Sequence, residues 1–346
     1  MVRIKVVSLF SGCGGGDIGI FGGFCFKNMY FHEHNVEIVY SGDISAKAVK
    51  IYNDNFKQKA KVEDIRLIES ESVPDHDILV AGFPCQSFSI VAQNPPRLGI
   101  DSDGGRLFYE VSRILECKKP RAFILENVKG ILSANHGEAF KIILRELRES
   151  GYVVSYRLLD ASDFGAPQKR KRVFIVGVRK DIGVKPAFPR KKFRKPKYVL
   201  KDVLMEDDLV PEKYFFSERA IAGLENTKNK QLMNKGRIQN PNSTCATVSA
   251  HLAKVSLNSV DPVVISRGKI RRFTPREVAR IQTFPENFKL EAKDADLYKC
   301  LGNAIPPVLM WYVTDSLLRK VFPEIAQIVV PSRASNEAVA GVDEKC

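Results

Sequence analysis

The sequence predicts an α/β fold, an open and mostly parallel sheet with helices on both faces, together with a smaller and irregular second lobe. Short apolar runs alternate with helical patterns over residues 1–180, the order that a parallel sheet with crossover helices requires. A glycine-rich turn directly follows the first apolar run, as in folds that bind a nucleotide beyond the first strand. The alternation is lost near residue 180 and returns near residue 269.

Runs rich in Val, Ile and Leu predict the strands of the first lobe. In chain order they are residues 3–10, 36–41, 77–83, 122–125, 153–159 and 173–178. Helical spacing predicts helices at residues 14–24, 45–56 and 106–117, and an amphipathic helix carrying Phe140 and Leu147 that ends at Gly151. Ser45 is the candidate N-cap of the second helix.

The second lobe is predicted where the chain becomes rich in Pro, Asn, Lys and Ser and loses its periodicity. Order returns where Thr274 and Glu277 form a capping box and residues 308–322 form a strongly apolar helix. The small, polar residues at the end of the chain predict a flexible tail. The predicted boundaries are 1–178 for the first lobe, 179–268 for the second, 269–330 for the return to the first and 331–346 for the tail.

The composition indicates a protein of the cytoplasm with a polyanionic partner. The 346 residues carry a formal net charge of +14, which favours nucleic acid as that partner. Residues 185–197 contain seven basic side chains and no acidic one, and form either a phosphate-binding cluster or a solvated linker. The apolar runs are too short to span a bilayer. Seven cysteines without a Cys-x-x-Cys pair favour a reducing compartment and no structural metal.

The glycine-rich turn at Ser11–Gly16 allows a ligand to approach bare backbone. It departs from the dinucleotide-binding pattern because Asp17 stands where the third glycine is needed, and it lacks the Gly-Lys-Ser/Thr of a Walker loop. Asp43 follows the second strand, where it can accept hydrogen bonds from ribose hydroxyls, and Asp64 with Ile65 can meet an adenine ring. These residues favour a nucleoside ligand, although each aspartate alone is equally consistent with a turn, and the glycines with a tight structural turn.

A cysteine stands at the end of the third predicted strand, in the tetrapeptide Phe83–Gln86. A proline-fixed turn that presents Cys85 is a plausible way to hold a nucleophilic thiolate. A buried structural cysteine is the alternative, since free Cys is among the most buried residue types. The tripeptide Glu-Asn-Val at Glu126 and the run Gln-Lys-Arg-Lys-Arg at residues 168–172 follow in order, and this company favours the catalytic interpretation.

This ordered set of motifs, with Gly-Asn-Ala-Ile-Pro-Pro at residues 302–307, resembles the DNA (cytosine-5)-methyltransferases of prokaryotic restriction–modification systems over nearly the whole chain. The resemblance implies a Rossmann-like S-adenosylmethionine-dependent methyltransferase domain with a target recognition domain at residues 179–268. It implies S-adenosyl-L-methionine as cofactor, S-adenosyl-L-homocysteine as product, and no metal. The matching cofactor-binding positions are Phe10, Gly12, Cys13, Gly14, Gly15, Asp43, Ile44, Asp64, Ile65, Pro84, Leu107, Asn303 and Ala304.

Two positions depart from the family pattern. Asp43 stands where the family usually has Glu, which shortens the reach to the ribose, and Cys300 stands where many members have Gln. The second departure leaves the role of Cys300 open.

The resemblance also implies the catalytic residues. The thiolate of Cys85 adds to C6 of cytosine, Glu126 stabilises the ring near N3 and N4, and Arg170 and Arg172 orient the base near O2 and lower the thiol pKa. A cytosine within a duplex must be flipped out before this reaction, and residues 87–105 are expected to form a flap over the site. The expected DNA contacts are Gln86, Ser87, Thr247, Arg271 and Arg272.

The resulting prediction is a monomeric, sequence-specific DNA cytosine-5 methyltransferase of a prokaryotic cytoplasm, associated with the nucleoid and not with a membrane. Its partners are double-stranded DNA and a separately acting cognate restriction endonuclease, although an orphan methylase has the same sequence pattern. A tRNA cytosine-5 methyltransferase of the same family is one alternative, but the Cys-Phe-Thr tripeptide typical of that branch is absent. A catalytically silent DNA-binding module is another, disfavoured by the presence of Cys85, Glu126 and Arg172.

Overall fold

The computed structural model of this protein describes residues 3–84, 103–219, 221, 237–254 and 261–326. The predicted nucleophile Cys85 and the predicted DNA contacts Gln86 and Ser87 lie outside the described residues. The predicted flap and the predicted C-terminal tail also lie outside them for most or all of their length.

Eleven strands are present in the described part of the chain. They are β1 (Ile4–Leu9), β2 (Phe24–Phe26), β3 (Met29–Phe31), β4 (Val36–Asp43), β5 (Lys61–Val62), β6 (Ile78–Ala81), β7 (Ala122–Val128), β8 (Tyr152–Asp160), β9 (Lys171–Arg179), β10 (Val264–Ser266) and β11 (Lys269–Arg271). Seven of them form one sheet in the order β5-β4-β1-β6-β7-β9-β8. The pairs from β5 to β7 are parallel, whereas β9 is antiparallel to both β7 and β8. The prediction of an open, mostly parallel sheet is confirmed.

The order of the strands creates a crevice at one edge of the sheet. β1 pairs with β4 on one side and with β6 on the other, so the chain connections diverge from β1 in opposite directions. Because these strands are parallel, the residues that follow their carboxyl ends meet at the same edge. The glycine-rich turn follows β1, Asp43 ends β4, and the segment leading to Cys85 follows β6. Open α/β sheets bind ligands in such a crevice.

The helices that the structure describes are α1 (Gly15–Phe21), α2 (Ala46–Asn55), α3 (Asp103–Lys118), α4 (Glu138–Glu149), α5 (Pro275–Ile281), α6 (Asp294–Asn303), α7 (Pro307–Val321) and α8 (Pro323–Ala326). Two hydrophobic clusters cover the two faces of the sheet. Neighbouring residues of β7 alternate between them, with Ile124 in the cluster around α1 and α7, and Phe123 in the cluster around α3 and α4. This alternation is the period of two that a strand imposes on a sheet buried on both faces.

The predicted caps explain where two helices begin. The Ser45 hydroxyl accepts a hydrogen bond from the Ala48 amide at 3.3 Å at the start of α2. At α5, the Glu277 amide donates to the Thr274 hydroxyl and the Thr274 amide donates to the Glu277 carboxylate, at 3.2 and 2.8 Å. Pro275 occupies the first position of this helix, where the missing N–H removes no internal bond. Both predicted caps are confirmed.

Residues from the predicted second lobe pack into the same hydrophobic cluster as the first lobe. Leu200, Val248 and Val264 belong to this cluster together with Leu301 of α6 and Leu317 of α7. The described residues of this lobe include several short 3₁₀ turns and β10, which pairs with β11 just beyond it. The boundaries of the second domain remain a prediction. No helix among the described residues is long and apolar enough to span a membrane.

Candidate active site

The turn between β1 and α1 has a backbone conformation and a close contact that favour glycine. Phe10, Gly12 and Gly14 have φ angles of 55°, 56° and 90°, in the left-handed region. Gly15 has an ordinary φ, but a Cβ atom there would lie 2.6 Å from the carbonyl oxygen of Ile305. The turn therefore presents bare backbone at the sheet edge and contacts the late motif at residues 302–307 directly.

Asp43 connects the end of β4 to this turn. Its carboxylate accepts hydrogen bonds from the Gly12 amide at 3.0 Å and from the Ser45 amide at 2.8 Å. A carboxylate has about four lone-pair sites, so Asp43 keeps capacity for further donors such as ribose hydroxyls. The next side chain, Ile44, is 64% exposed and offers an apolar surface beside that carboxylate. Asp43 and Ile44 could therefore contact the polar and apolar parts of a nucleoside, respectively.

Asp64 and Ile65 follow the short strand β5, at the same edge of the sheet. Ile65 is buried, whereas the Asp64 carboxylate pairs with Arg66 through the Arg66 Nε atom at 3.0 Å. This pairing, first through the side-chain hydrogen bond, lowers the pKa of Asp64. Asp64 is thus held as a carboxylate paired with Arg66. An exocyclic amine of a ligand that donates a hydrogen bond to Asp64 would share the carboxylate with Arg66.

The late motif closes the other side of the turn. Asn303 is exposed at the end of α6, and Ala304 is half-buried, with its Cβ 3.0 Å from the position of a Cβ on Gly15. Leu107 of α3 and Pro84 beyond β6 are also half-buried. Cys13, by contrast, is 1% exposed, and burial raises the pKa of its thiol. Its side chain belongs to the core behind the turn, so only its backbone is available to a ligand.

A buried ion pair lies beside the segment that leads to Cys85. The Arg172 Nε atom lies 2.9 Å from Oε1 of Glu126, and both side chains are nearly buried. A Cβ on Gly82 would lie 3.5 Å from Oε2 of Glu126, which places this carboxylate against the chain between β6 and Pro84. The Asn127 amide group donates to the Phe83 carbonyl at 3.0 Å and fixes the same segment. Glu126, Arg172 and the approach to Cys85 are therefore brought together.

The ionisation of Glu126 is set by competing effects. Burial raises the pKa of Glu126, while the charges of Arg172 and Arg170 lower it, and burial prevails. A raised pKa makes a carboxyl group easier to protonate, which suits a group that exchanges a proton with a substrate. The geometry places this group against the segment that leads to Cys85.

Arg170 occupies a different place from the one predicted. It is 1% exposed, and its guanidinium donates to the carbonyls of Val248 at 3.0 Å, Gly302 at 2.7 Å and Ala304 at 3.1 Å. Both terminal nitrogens are therefore bound to backbone, and the predicted direct contact with cytosine O2 is corrected to a positioning role. Arg170 ties the start of β9 to the second lobe and to the late motif.

The three predicted DNA contacts that the structure describes differ in their exposure. Arg271 is fully buried, with its two terminal nitrogens 2.7 and 2.8 Å from the carboxylate of Glu277. The prediction that Arg271 contacts DNA is wrong, because a phosphate cannot reach it without breaking this pair. Arg272 is half-buried over the ring of Phe216, and Thr247 is exposed with its hydroxyl donating to the Lys169 carbonyl at 2.6 Å. These two keep their assignment as proposals.

Two buried polar groups beneath the site escaped prediction. The Asp17 carboxylate accepts hydrogen bonds from the hydroxyls of Ser8 at 2.6 Å and Tyr52 at 2.7 Å, which joins α1 to β1 and α2. The Gln282 amide group donates to the Ala304 carbonyl at 3.3 Å and lies within hydrogen-bonding distance of Gln168. Asp17 appeared in the sequence only as the residue that breaks a glycine pattern, and Gln282 carried no signal.

Comparisons with known proteins show which family this chain resembles. A family model described as C-5 cytosine-specific DNA methylase matches residues 4–319. The chain is 35% identical over 324 residues to the Type II methyltransferase M1.ScrFI of Lactococcus lactis subsp. cremoris, covering 91% of this chain and 78% of that protein. It is 32% identical over 332 residues to the Type II methyltransferase M.Bsp6I of Bacillus sp. (strain RFL6), covering 92% and 99%.

Solved structures have the same fold. The Entamoeba histolytica methyltransferase EhMeth superposes with a TM-score of 0.69 at 18% identity, over 92% of this chain and 98% of that one. The S. pombe Dnmt2 methyltransferase superposes with a TM-score of 0.67 at 21% identity, over 92% and 98%. At these identities the likeness concerns the fold.

Proposed function

The chain belongs to the C-5 cytosine-specific DNA methylase family and is a DNA cytosine methyltransferase, and from its site we propose how its residues carry out the transfer. The observation that carries the proposal is the Glu126–Arg172 pair, buried against the segment that leads to Cys85. A nucleophile and a proton-exchanging carboxyl at the same edge of the sheet suit a reaction in which an aromatic ring is first activated by covalent addition.

The glycine turn and Asp43 fit the cofactor that this family implies. A Cβ on Gly12 would meet no atom within 4 Å, so the bare backbone of the turn adjoins open space that a ligand can occupy. Asp43 retains acceptor capacity for a ribose, and Ile44 offers an exposed apolar face. When bound, S-adenosylmethionine supplies an electrophilic methyl group. The residues proposed to hold it are Phe10, Gly12, Cys13, Gly14, Gly15, Asp43, Ile44, Asp64, Ile65, Pro84, Leu107, Asn303 and Ala304.

Covalent addition begins at Cys85. Its thiolate forms a bond to C6 of the flipped cytosine, and the ring electrons move toward N3, where Glu126 supplies a proton or a strong hydrogen bond. Arg172 holds Glu126 through its Nε atom and carries the positive charge that favours the thiolate and orients the base near O2. C5 thereby becomes nucleophilic. After methyl transfer, which would leave S-adenosyl-L-homocysteine, loss of the C5 proton to water re-forms the C5–C6 double bond and expels the Cys85 thiolate, and N3 returns its proton to Glu126.

The proposed substrate form is a cytosine flipped out of double-stranded DNA, at a cost of a few kcal/mol. The net charge of +14 suits a protein that contacts the phosphates of DNA. Residues 179–268 are proposed to contain the side chains that contact base edges of the target sequence. Gln86, Ser87, Thr247 and Arg272 are proposed as DNA contacts. Its named relatives are Type II methyltransferases, so we propose a separately acting restriction endonuclease as partner, a monomeric state and a prokaryotic, nucleoid-associated setting.

Methyl transfer to two nucleic acids tests the proposed substrate. Labelled methyl from S-adenosylmethionine is supplied with unmethylated genomic DNA or with unmodified tRNA, and the modified cytosines are mapped at base resolution. We expect label on DNA at one short motif, which also defines the recognition sequence. Label on tRNA alone would contradict DNA as the substrate. DNA methylated at the motif should then resist a Type II endonuclease that cuts it, and full cleavage would contradict the restriction–modification role.

A further inference from the structure

Two histidines and an aspartate meet at a site that the methyl-transfer mechanism does not use. His32 and His34 lie in the connection between β3 and β4, and Asp315 lies on α7. This connection precedes the amino end of β4, whereas Asp43 lies at the carboxyl end of the same strand. At about 3.3 Å per residue, the strand separates the cluster from the cofactor crevice by on the order of 20 Å.

The three side chains converge on one point. The His32 Nε2 atom lies 3.7 Å and the His34 Nε2 atom 3.9 Å from the same oxygen, Oδ1 of Asp315. All three atoms lie within 4.8 Å of one another. A tetrahedral zinc ion with bonds of about 2.1 Å places its ligand atoms about 3.4 Å apart. The two separations from Asp315 Oδ1, 3.7 and 3.9 Å, exceed that value by only about 0.3 and 0.5 Å, and the His32 side chain, which is 30% exposed, has room to rotate toward the other two ligands.

Groups outside the cluster hold the side chain of His34 and the backbone of His32. The Nδ1 atom of His34 is hydrogen-bonded to the Ile20 carbonyl at 2.9 Å, and the His34 ring stacks on Trp311 with ring centroids 5.3 Å apart. The Trp311 indole donates to the His32 carbonyl at 2.9 Å. Such a hydrogen bond, in which the second ring nitrogen donates to a backbone carbonyl, is what orients metal-binding histidines in proteins.

One atom of the cluster is left without a hydrogen bond. His34 is 5% exposed, and its Nε2 atom is buried without a hydrogen-bond partner among the described residues. A buried polar atom in this state costs about 1–3 kcal/mol, so its retention calls for an explanation. Arg319 donates through Nε to Oδ2 of Asp315 at 2.8 Å, which leaves Oδ1 directed at the two histidines. The unpaired nitrogen and the free carboxylate oxygen therefore face a common point.

We propose that His32, His34 and Asp315 bind one divalent transition-metal ion, such as zinc, through the two Nε2 atoms and Oδ1. Imidazole and carboxylate together suit zinc and its neighbours in the transition series, whereas magnesium and calcium prefer oxygen ligands alone. Three protein ligands leave a fourth position for water. The prediction of no metal came from cysteine spacing and could not detect this site, because its ligands are a His-x-His pair and an aspartate from a distant helix.

The position of the ion gives it a structural role. The cluster joins the β3–β4 connection to α7, and α7 lies directly against α1, since a Cβ on Gly19 would be 2.5 Å from the Pro307 carbonyl oxygen. α1 in turn begins at the glycine turn of the cofactor site. An ion that binds the folded chain and not the unfolded one raises its stability by mass action. Metal binding should therefore stabilise the support behind the cofactor turn without taking part in methyl transfer.

The test uses the whole chain, freed of metal with a chelator and then titrated with zinc by calorimetry and with cobalt(II) by visible absorption. We expect one ion per chain, a zinc-dependent rise in Tm, and the intense absorption bands of cobalt in a tetrahedral site. His32→Gln and Asp315→Asn should each weaken binding by more than about 100-fold, beyond the effect of losing a supporting group. His136→Asn is the matched control, since His136 is exposed and its φ of 54° is one that Asn accepts.

Folding is checked first by circular dichroism of each metal-free variant. His32→Gln alters a side chain at the surface, so it keeps the test valid if Asp315→Asn unfolds through loss of its pair with Arg319. Absence of stoichiometric binding by the wild type would overturn the proposal. Equal zinc affinity in the wild type and in a folded His32→Gln variant would overturn it as well.

Discussion

At the scale of single residues, Glu126 is the group on which the proposed chemistry depends. Its carboxylate is held by Arg172 and lies against Gly82, close to where the chain leads into Cys85. The Glu126→Gln variant keeps the shape of the side chain but can neither release nor take up a proton. We expect kcat to fall by about 10²- to 10⁴-fold, the usual contribution of a positioned acid or base. Single-turnover kinetics measure this, and affinity for S-adenosylmethionine should be unchanged. Turnover within a fewfold of the wild type would contradict the role of Glu126.

The raised pKa of Glu126 predicts a pH-dependent stability. Burial is the main cause, and it leaves the folded-state pKa above the unfolded value of about 4.3. The native state therefore binds this proton more tightly, so its stabilising effect is complete below the unfolded pKa and is lost as pH rises through the folded pKa. Glutamine does not titrate. The free energy of unfolding of the wild type, minus that of Glu126→Gln, should fall as pH rises from about 4 toward neutrality. Urea denaturation at several pH values measures it, and a flat or rising difference would contradict the raised pKa.

At the scale of elements, the first turn of α1 packs on the late motif at residues 302–307. Two adjacent glycines of this turn, Gly15 and Gly16, differ in how closely they approach that motif. A Cβ on Gly15 would lie 2.6 Å from the Ile305 carbonyl, whereas the nearest atom to a Cβ on Gly16 is a methyl group at 3.6 Å. Neither glycine has a positive φ, so backbone strain does not enter the comparison.

We expect Gly15→Ala to destabilise the protein by about 1–3 kcal/mol, because the contact can be relieved only by moving the backbone of the late motif. Gly16→Ala should be neutral or stabilising by up to about 1 kcal/mol, since alanine restricts the unfolded chain. Chemical denaturation without cofactor gives both values, and Gly15→Ala should also weaken S-adenosylmethionine binding. Equal stability of the two variants would contradict the packing of the glycine turn on residues 302–307.

The elements themselves show which patterns a sequence reveals. Six of the seven strands of the central sheet, the caps of α2 and α5 and the apolar α7 were predictable, because period, capping residues and length are local properties; the two-residue β5 was not predicted. α6 was missed because it is short and begins without a side-chain cap, since Lys293 stands at the N-cap position. The β2–β3 hairpin was missed because its strands have three residues each, too few to display a period.

At the scale of the whole molecule, Arg170 links parts of the chain that are far apart in sequence. Its guanidinium binds backbone carbonyls at Val248, Gly302 and Ala304. Arg170→Met keeps much of the apolar volume but removes the donor to the buried carbonyls of Val248 and Gly302, at about 1–3 kcal/mol each, while the Ala304 carbonyl keeps its bond from Gln282. We expect a loss of at least about 2 kcal/mol in the free energy of unfolding. Lys171→Met is the matched control, since Lys171 is the exposed neighbour of Arg170 and its loss should stay within about 0.5 kcal/mol. Similar stability of the two variants, by urea denaturation, would contradict the linking role.

The corrected residues explain what sequence alone could not provide. Asp43 and Glu126 were predictable, because strand ends and motif order fix their place at the sheet edge. Arg170 and Arg271 look like ligands of DNA or base in a basic sequence, yet both are buried: Arg170 binds carbonyls of distant segments, and Arg271 pairs with Glu277 in the first turn of α5. The His32–Asp315 contact likewise exists only once α7 packs beside the β3–β4 connection. A residue's partner across the fold is a property of the tertiary structure.

The central claim of a covalent cytosine intermediate is tested most directly with DNA that carries 5-fluorocytosine at the mapped target position. Fluorine cannot leave C5 as a proton does, so the enzyme should remain bonded to the base after methylation. With S-adenosylmethionine present, we predict a denaturation-resistant adduct with the wild type and with Cys300→Ser, and none with Cys85→Ser. Mass spectrometry of the digested adduct identifies the linked residue. Failure of the wild type to form an adduct at a site that it methylates, or an adduct with Cys85→Ser, would contradict the account.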